Sequence, residues 1–467
     1  MRRFLILAAA GLLAGCMTPP YLGPAPEVKA PQTYRSADSF TAAPTPWPSD
    51  TWWTAYGDPQ LSALIDEALA NAPTMAQASA RLRRAEALVG SANAALLPSI
   101  SADGSLTVSK PSVNDGIPVL PERRGYHDYG RATLGFGWEL DFWGRNRAAL
   151  AAATSDAQAA GADAAAARLI VSASVAATYA DLVRLYNDRD VLAETLRVRE
   201  KSLALVQMRV EQGFDSDADL AQAQAGPPAV RSDLAQADEA IGLTRNRLAA
   251  LLGAGPDRGR RIDRPNAPAL KGFGLPSNLS ADLLGHRPDI VAARWRVEAA
   301  GKRIKVAKAQ FYPNINLMGL IGFESLGIGN LLDGGSDIGA AGPAISLPIF
   351  DGGRRRAHYR GARADYDAAV ASYDETLTQA LRDVADVAVS SRQLAEEMQG
   401  ADAALSATER AYRLARLRYT QGASDYQSVL LVEDRLLQRR RIVAALQSRN
   451  FILDVALIRS LGGGVMR

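Results

Sequence analysis

Four stretches of this chain alternate apolar with small or polar residues at period two, and two others carry a helical stripe far longer than an ordinary domain helix. Ile100, Ala102, Gly104, Leu106 and Val108 interleave with Ser99, Ser101, Asp103, Ser105, Thr107 and Ser109. Ala132, Leu134, Phe136, Trp138, Leu140 and Phe142 interleave with Thr133, Gly135, Gly137, Glu139 and Asp141. Ile315, Leu317, Gly319, Ile321 and Phe323 form a third series, and Ile345, Leu347 and Ile349 a weaker fourth. The pattern predicts strands over about 99–110, 130–143, 313–324 and 340–350. Each is near the length of a membrane-spanning strand, and one apolar face suits lipid outside with water inside. A soluble sheet with one face on a core gives the same alternation.

The helical patterns run without proline from Gly144 to Gln212 and from Arg354 to Gln421. At 1.5 Å per residue each would be roughly 100 Å long. Leu192, Leu196, Leu203, Val206 and Val210 mark a coiled-coil-like seam on the first. The segments Ser216–Leu252 and Asp425–Leu461 supply the antiparallel partners. Helical hairpins this long stand side by side and do not wrap a compact core.

The pattern is written twice. Arg209-Val210-Glu211-Gln212-Gly213 recurs as Arg418-Tyr419-Thr420-Gln421-Gly422, and Phe142-Trp143-Gly144-Arg145 as Phe350-Asp351-Gly352-Gly353-Arg354. Arg81 to Pro98-Ser99-Ile100 recurs as Arg294 to Pro313-Asn314-Ile315. A repeat of this length is a duplication and not a solenoid. It divides the chain into 51–265 and 266–467, each reading helix, proline, strand, loop, strand, glycine turn, long helix, Gln-Gly turn, long helix.

The N-terminus changes the reading of the strands. Arg2 and Arg3 precede an apolar run, Phe4–Leu13, too short to cross a bilayer, so residues 1–15 read as a signal peptide. The only cysteine, Cys16, closes Leu13-Ala14-Gly15-Cys16, which looks like a lipobox, with cleavage before the cysteine and acylation of its thiol. Met17 follows it, and by resemblance to lipoprotein sorting rules this favours the outer membrane of a Gram-negative cell. Several acyl chains anchor stably where one is marginal. Residues 16–50 are rich in Pro, Ala, Thr and Ser and read as an extended arm, with Trp47, Trp52 and Trp53 either pinning it or belonging to the core.

Composition narrows the chemistry. Of 467 residues, 48% are hydrophobic and only 6% aromatic, with alanine runs that suit closely packed helices. A formal charge of +3 gives no case for nucleic acid. One cysteine excludes internal disulfides and cysteine-cluster metal sites. The three histidines, His127, His286 and His358, lie far apart, so no metal site is expected. No catalytic triad, phosphate loop or GxSxG is present, so no catalytic residue is expected and the chain does not read as an enzyme.

Four strands cannot close a membrane barrel, and an open edge in lipid leaves backbone groups unpaired. Three copies would contribute twelve strands. Together, Leu347-Pro348-Ile349-Phe350-Asp351-Gly352-Gly353-Arg354, Arg287-Pro288-Asp289-Ile290, Ala309-Gln310-Phe311-Tyr312-Pro313 and Trp138-Glu139-Leu140-Asp141-Phe142-Trp143-Gly144 resemble TolC-like outer-membrane factors, in their lipoprotein (NodT-like) branch serving RND-type efflux pumps. The resemblance covers nearly the whole mature chain. It implies a homotrimer of mixed α and membrane β structure, with a 12-stranded outer-membrane β-barrel and a periplasmic α-barrel of long antiparallel helices. It implies a passive exit duct docking a periplasmic adaptor and an inner-membrane RND-type transporter. A lipid-anchored periplasmic coiled-coil scaffold without a pore and a type I protein-secretion duct are the alternatives, and the exported substrate is open.

The Gln-Gly turns at Gly213 and Gly422 would be the tips of the duct, where the family narrows its aperture and meets its adaptor. Tyr419 matches a family tyrosine that helps hold the duct shut; Arg418 precedes it, and Asp425 and Asp217 follow the second and the first turn. Where relatives often carry an acid, this chain has Leu431, in Ser428-Val429-Leu430-Leu431; Asp425, Glu433 and Asp434, with Asp215, Asp217 and Asp219 in the first repeat, remain as acidic candidates. Gly352 and Gly353 permit the sharp passage from strand to helix. Asp351 is placed to cap the helix that follows. Gly226-Pro227-Pro228 falls inside an expected helix, where proline costs roughly 3 kcal/mol, so a kink or a break is expected there.

Overall fold

The computed structural model describes residues 18–30, 33–34, 38–40, 43–114, 116, 118–266, 274–276 and 285–464. Cys16 and the signal segment lie outside the described residues. Two short helices, α1 (Pro59–Asn71) and α2 (Pro73–Ala94), lead into strand β1 (Ser99–Ser109) and strand β2 (His127–Glu139). Helix α3 (Arg145–Glu211) and helix α4 (Asp217–Leu251) complete the first repeat, and the short α5 (Pro256–Arg260) follows. The second repeat runs α6 (Pro288–Ala309), β3 (Asn314–Leu326), β4 (Asp337–Ser346), α7 (Arg354–Thr420) and α8 (Tyr426–Leu461). Corresponding helices match in length: α3 and α7 are 67 residues each, and α2 and α6 are 22 each.

Three strand bounds shift from those the alternation predicts. β2 ends at Glu139 and not near 143, β3 extends to Leu326, and β4 spans Asp337–Ser346 where 340–350 was expected. For β2 and β4 the physical reason lies at the junctions with the helices that follow. Asp141 turns from the strand to cap α3, accepting the backbone N–H groups of Asn146 and Arg147 at 3.1 and 2.9 Å. Asp351 does the same for α7, accepting from Gly353 and Arg355 at 3.1 and 3.2 Å. Apolar alternation continues through these residues, but the Asp141 and Asp351 carboxylates already serve the helices. Gly352 and Gly353 have φ of 64° and 90°, where a side chain would be strained.

The strands form one antiparallel sheet in the order β1-β2-β3-β4, so the two repeats join through β2 and β3. Register places Ile100 beside Phe136, Leu134 beside Ile321 and Ile315 beside Ile345. One face of the sheet is therefore continuously apolar. It is also open: Ile100, Leu106, Val108, Leu134, Ile321 and Ile345 are all exposed. Among the described residues nothing pairs with the outer edges of β1 and β4. Pro343 sits in edge strand β4, where proline is tolerated.

The chain divides into two compact units that cut across the repeats. One contains Leu82–Ala160 and Ala293–Tyr373 with the start of the arm; the other contains Lys29–Arg81, Gly161–Ala292 and Asp374–Arg467. The sheet lies in the first. In the second, Trp52, Trp53, Leu61, Leu64, Ile65, Val175, Tyr179, Leu248 and Phe451 form a buried core. Trp52 and Trp53 thus belong to the core, whereas Trp47 stacks on His286 with ring centroids 4.0 Å apart. Buried Asp58 caps α1 and accepts the Tyr179 hydroxyl at 2.6 Å.

α4 runs unbroken through Pro227 and Pro228. No break occurs there, because Ala223, Pro227 and Val230 are buried and tertiary packing holds the segment helical. Gly226 presses against Arg199: a Cβ at this position would lie 3.2 Å from the arginine Cδ.

Candidate functional site

The second unit brings the two Gln-Gly turns together. Each ends its long helix with the same backbone device. Gly213 (φ 76°) donates to the Val210 carbonyl at 2.9 Å, and Phe214 to that of Arg209 at 2.8 Å. Gly422 (φ 74°) donates to Tyr419 at 3.0 Å, and Ala423 to Arg418 at 2.8 Å. These are Schellman closures, which need a left-handed residue and hence select glycine. The returning helices are capped by Ser216, in a reciprocal box with Asp219, and by Asp425, which accepts the Ser428 N–H at 2.9 Å.

Between the turns lies a compact polar latch. The Tyr419 hydroxyl donates to Asp215 Oδ2 at 2.6 Å. Arg209 grips the same carboxylate with two hydrogen bonds, at 2.9 and 3.1 Å, and its guanidinium covers the Tyr419 ring at 4.7 Å. Arg209 Nη1 also reaches the Tyr419 carbonyl at 3.4 Å. Tyr419 is buried against Tyr426, Val206, Val429 and Leu430. The Asp215 carboxyl feels two opposed influences. Burial raises its pKa, but hydrogen bonds from Arg209 and Tyr419 outweigh this and hold it below the ordinary value. Burial first, and then the bond to Asp215, push the Tyr419 phenol up, so it remains a donor at neutral pH.

A second charged cluster sits farther along the helices. Arg199 Nε lies 2.8 Å from Glu433 and its Nη2 2.6 Å from Asp434. The Arg199–Glu433 approach is angled out of hydrogen-bond geometry, leaving both Glu433 oxygens without a hydrogen bond. Desolvation raises the Glu433 pKa against the pull of Arg199.

The residues singled out from sequence fall into different places. Tyr419 lies at the centre of the latch, but its hydroxyl meets the turn of its own chain's first repeat. Asp425 is a helix cap. Asp217 and Arg418 are exposed, and among the described residues neither side chain has a partner. The residue that organises the latch is Arg209, which the repeat displayed but pattern reading did not single out. The signal was its pairing with an acid six residues on, across a tight turn. Tyr426 was also missed, since an aromatic at a helix start reads as ordinary core.

A four-stranded sheet with an exposed apolar face, joined to two 67-residue helices in a repeated layout, points to a class: membrane channel proteins built by duplication. The family model described as outer membrane efflux protein matches residues 64–254 and 279–463, and the chain belongs to that family. It is an efflux channel protein of the Gram-negative outer membrane, not an enzyme. It is 37% identical to the fusaric acid resistance protein FusA of Burkholderia cepacia, over 77% of this chain and 68% of that one. It is 31% identical to the multidrug resistance outer membrane protein MdtP of Escherichia coli, over 98% of this chain and 95% of the relative. Among solved structures it resembles the outer membrane protein VceC of Vibrio cholerae, at 42% identity and a TM-score of 0.84, covering 90% of this chain and 100% of that one.

Proposed function

We propose that this protein works as a homotrimeric exit duct, passing small organic compounds delivered by an inner-membrane RND-type transporter through a periplasmic adaptor, with Cys16 lipidated at its mature N-terminus. The observation that carries the reading is the sheet: four strands whose outer edges have no partner among the described residues, with a lipid-compatible apolar face, fit one third of a twelve-stranded barrel. In this reading the Tyr419–Asp215–Arg209 latch holds the inner end shut. Each protomer ties its two helical hairpins together at their turns, so opening requires the hairpins to part. Exposed Arg418 and Asp217 flank the latch and are free to meet the adaptor. The resistance relatives support small-molecule cargo over protein cargo. Light scattering of the detergent-solubilised protein, corrected for bound detergent, is expected to give three copies. Mass spectrometry is expected to place acyl groups on Cys16. A stable monomer with full strand content overturns the duct.

A further inference from the structure

The first unit contains a cleft of about 570 Å³ where β2 and β4 end and α3 and α7 begin. Its charges are unevenly satisfied. Glu139 is paired with Arg145 at 2.5 Å, and Asp141 with Arg147 at 3.3 Å. Two arginines are the exceptions. Arg355 is 7% exposed, its Nε holds Asp351 at 2.7 Å, its guanidinium lies 5.7 Å from the centroid of the Phe311 ring, and its Nη1 is buried with no hydrogen-bond acceptor. Arg354, beside it on the cleft wall, is exposed, and among the described residues its side chain has no partner. A buried guanidinium nitrogen without an acceptor is costly, and an anion is what would satisfy it.

The surroundings say which anion. The cleft opens where the apolar strand face ends. Trp143 stacks on Tyr312 at 4.7 Å along its wall, and the Trp143 indole N–H is tied to the Pro313 carbonyl at 2.8 Å. Phe142 on its lining is exposed, as are Ile349 and Phe350, which follow the lining residue Pro348 in the chain. Aromatic rings beside arginines at the end of a membrane-spanning strand mark the level of lipid headgroups. We infer that this cleft binds the phosphodiester headgroup of a phospholipid in the periplasmic leaflet, with Arg355 and Arg354 on the phosphate and the exposed apolar residues against the acyl chains. The inference rests on the outer-membrane placement of the sheet. The ligand chemistry is a phosphate, which a free anion shares; the acyl-facing rim selects the lipid.

Full-length protein in a neutral sugar detergent, titrated with short-chain phosphatidylglycerol and followed by native mass spectrometry, tests this. Phosphatidylglycerol is expected to remain bound, diacylglycerol not, and an equal concentration of inorganic phosphate to leave the lipid in place. The pair R354A/R355Q is expected to weaken retention about tenfold through loss of charge-assisted hydrogen bonds. Because Arg355 also holds Asp351, Arg354→Ala alone provides a variant with the fold undisturbed, expected about threefold weaker through loss of one charged contact. Wild-type retention by Arg354→Ala, equal retention of diacylglycerol, full displacement by phosphate, or no lipid bound each overturns the proposal. A protein that fails to insert into proteoliposomes removes the membrane placement and the proposal together, whereas insertion without headgroup selectivity removes the proposal alone.

Discussion

The two helix turns share a backbone and divide the chemistry between them. Gly213 and Gly422 have the same left-handed conformation, the same pair of closing hydrogen bonds and a capped helix three residues on. The side chains are not interchangeable. Arg209 is part-buried and bound to Asp215, whereas its repeat counterpart Arg418 is exposed without a partner among the described residues. Asp215 corresponds to Ser424, whose buried hydroxyl has no hydrogen-bond partner. Val210 corresponds to Tyr419, which crosses to the other turn. Duplication supplied a symmetric frame, and the latch exists because the copies diverged in complementary ways. One turn holds the acid and the base, and the other contributes the phenol.

This asymmetry can be broken from either side, and the effects should rank. Replacing Asp215 by alanine removes the acceptor shared by Arg209 and Tyr419. The cost at the latch is expected to be about 3 kcal/mol, since a part-buried charge loses its partner. Single-channel conductance in planar bilayers is expected to rise, and amide exchange in residues 209–219 to quicken. The same carboxylate sets a pH limit. Its folded pKa lies below the ordinary value, so its contribution is fully present above the unfolded pKa and is lost as pH falls through the lowered folded one. The duct should therefore stay shut from neutral pH down to about pH 4 and loosen below it. Asp215→Asn should abolish that acid response; an unchanged profile would place the constriction elsewhere.

Next in size is the contrast between the two arginines. Arg209→Ala is expected to cost about 2 kcal/mol at the latch, and Arg418→Ala less than about 0.5 kcal/mol. Hydrogen exchange across both turns measures the difference, and equal losses would mean that the turns are functionally equivalent. A matched pair comes third. Gly213→Ala and Gly422→Ala should each cost about 1 kcal/mol, because an added Cβ meets no neighbour at either site and only the left-handed φ is strained. Unequal thermal shifts would contradict the shared backbone. Comparable in size is Tyr419→Phe, which keeps the ring packing and loses one hydrogen bond worth about 1 kcal/mol. It should raise conductance modestly and increase entry of large antibiotics into cells, with more effect when combined with Asp215→Asn than in Asp425→Ala, where only a helix cap is lost.

Much of this architecture could be read without coordinates. Period-two alternation set the four strands and their apolar face, because each residue added to a strand turns its side chain to the opposite side. The long proline-free stripes set the two great helices, and Gly213 and Gly422 announced the turns, since few other residues accept a positive φ. These are local properties, carried by a few neighbouring residues. What required the tertiary structure is everything that depends on partners distant in sequence. Strand ends were misplaced because Asp141 and Asp351 leave the sheet to serve helix N–H groups that pattern cannot see. The prolines of α4 did not break it, because packing outweighs propensity. Tyr419 was visible as a residue, but its acceptor was not: Asp215 and Tyr419 lie 204 positions apart, and nothing in either segment specifies the other. Charge pairs form where two helical hairpins meet, and that meeting is decided by the packed apolar seam beneath them.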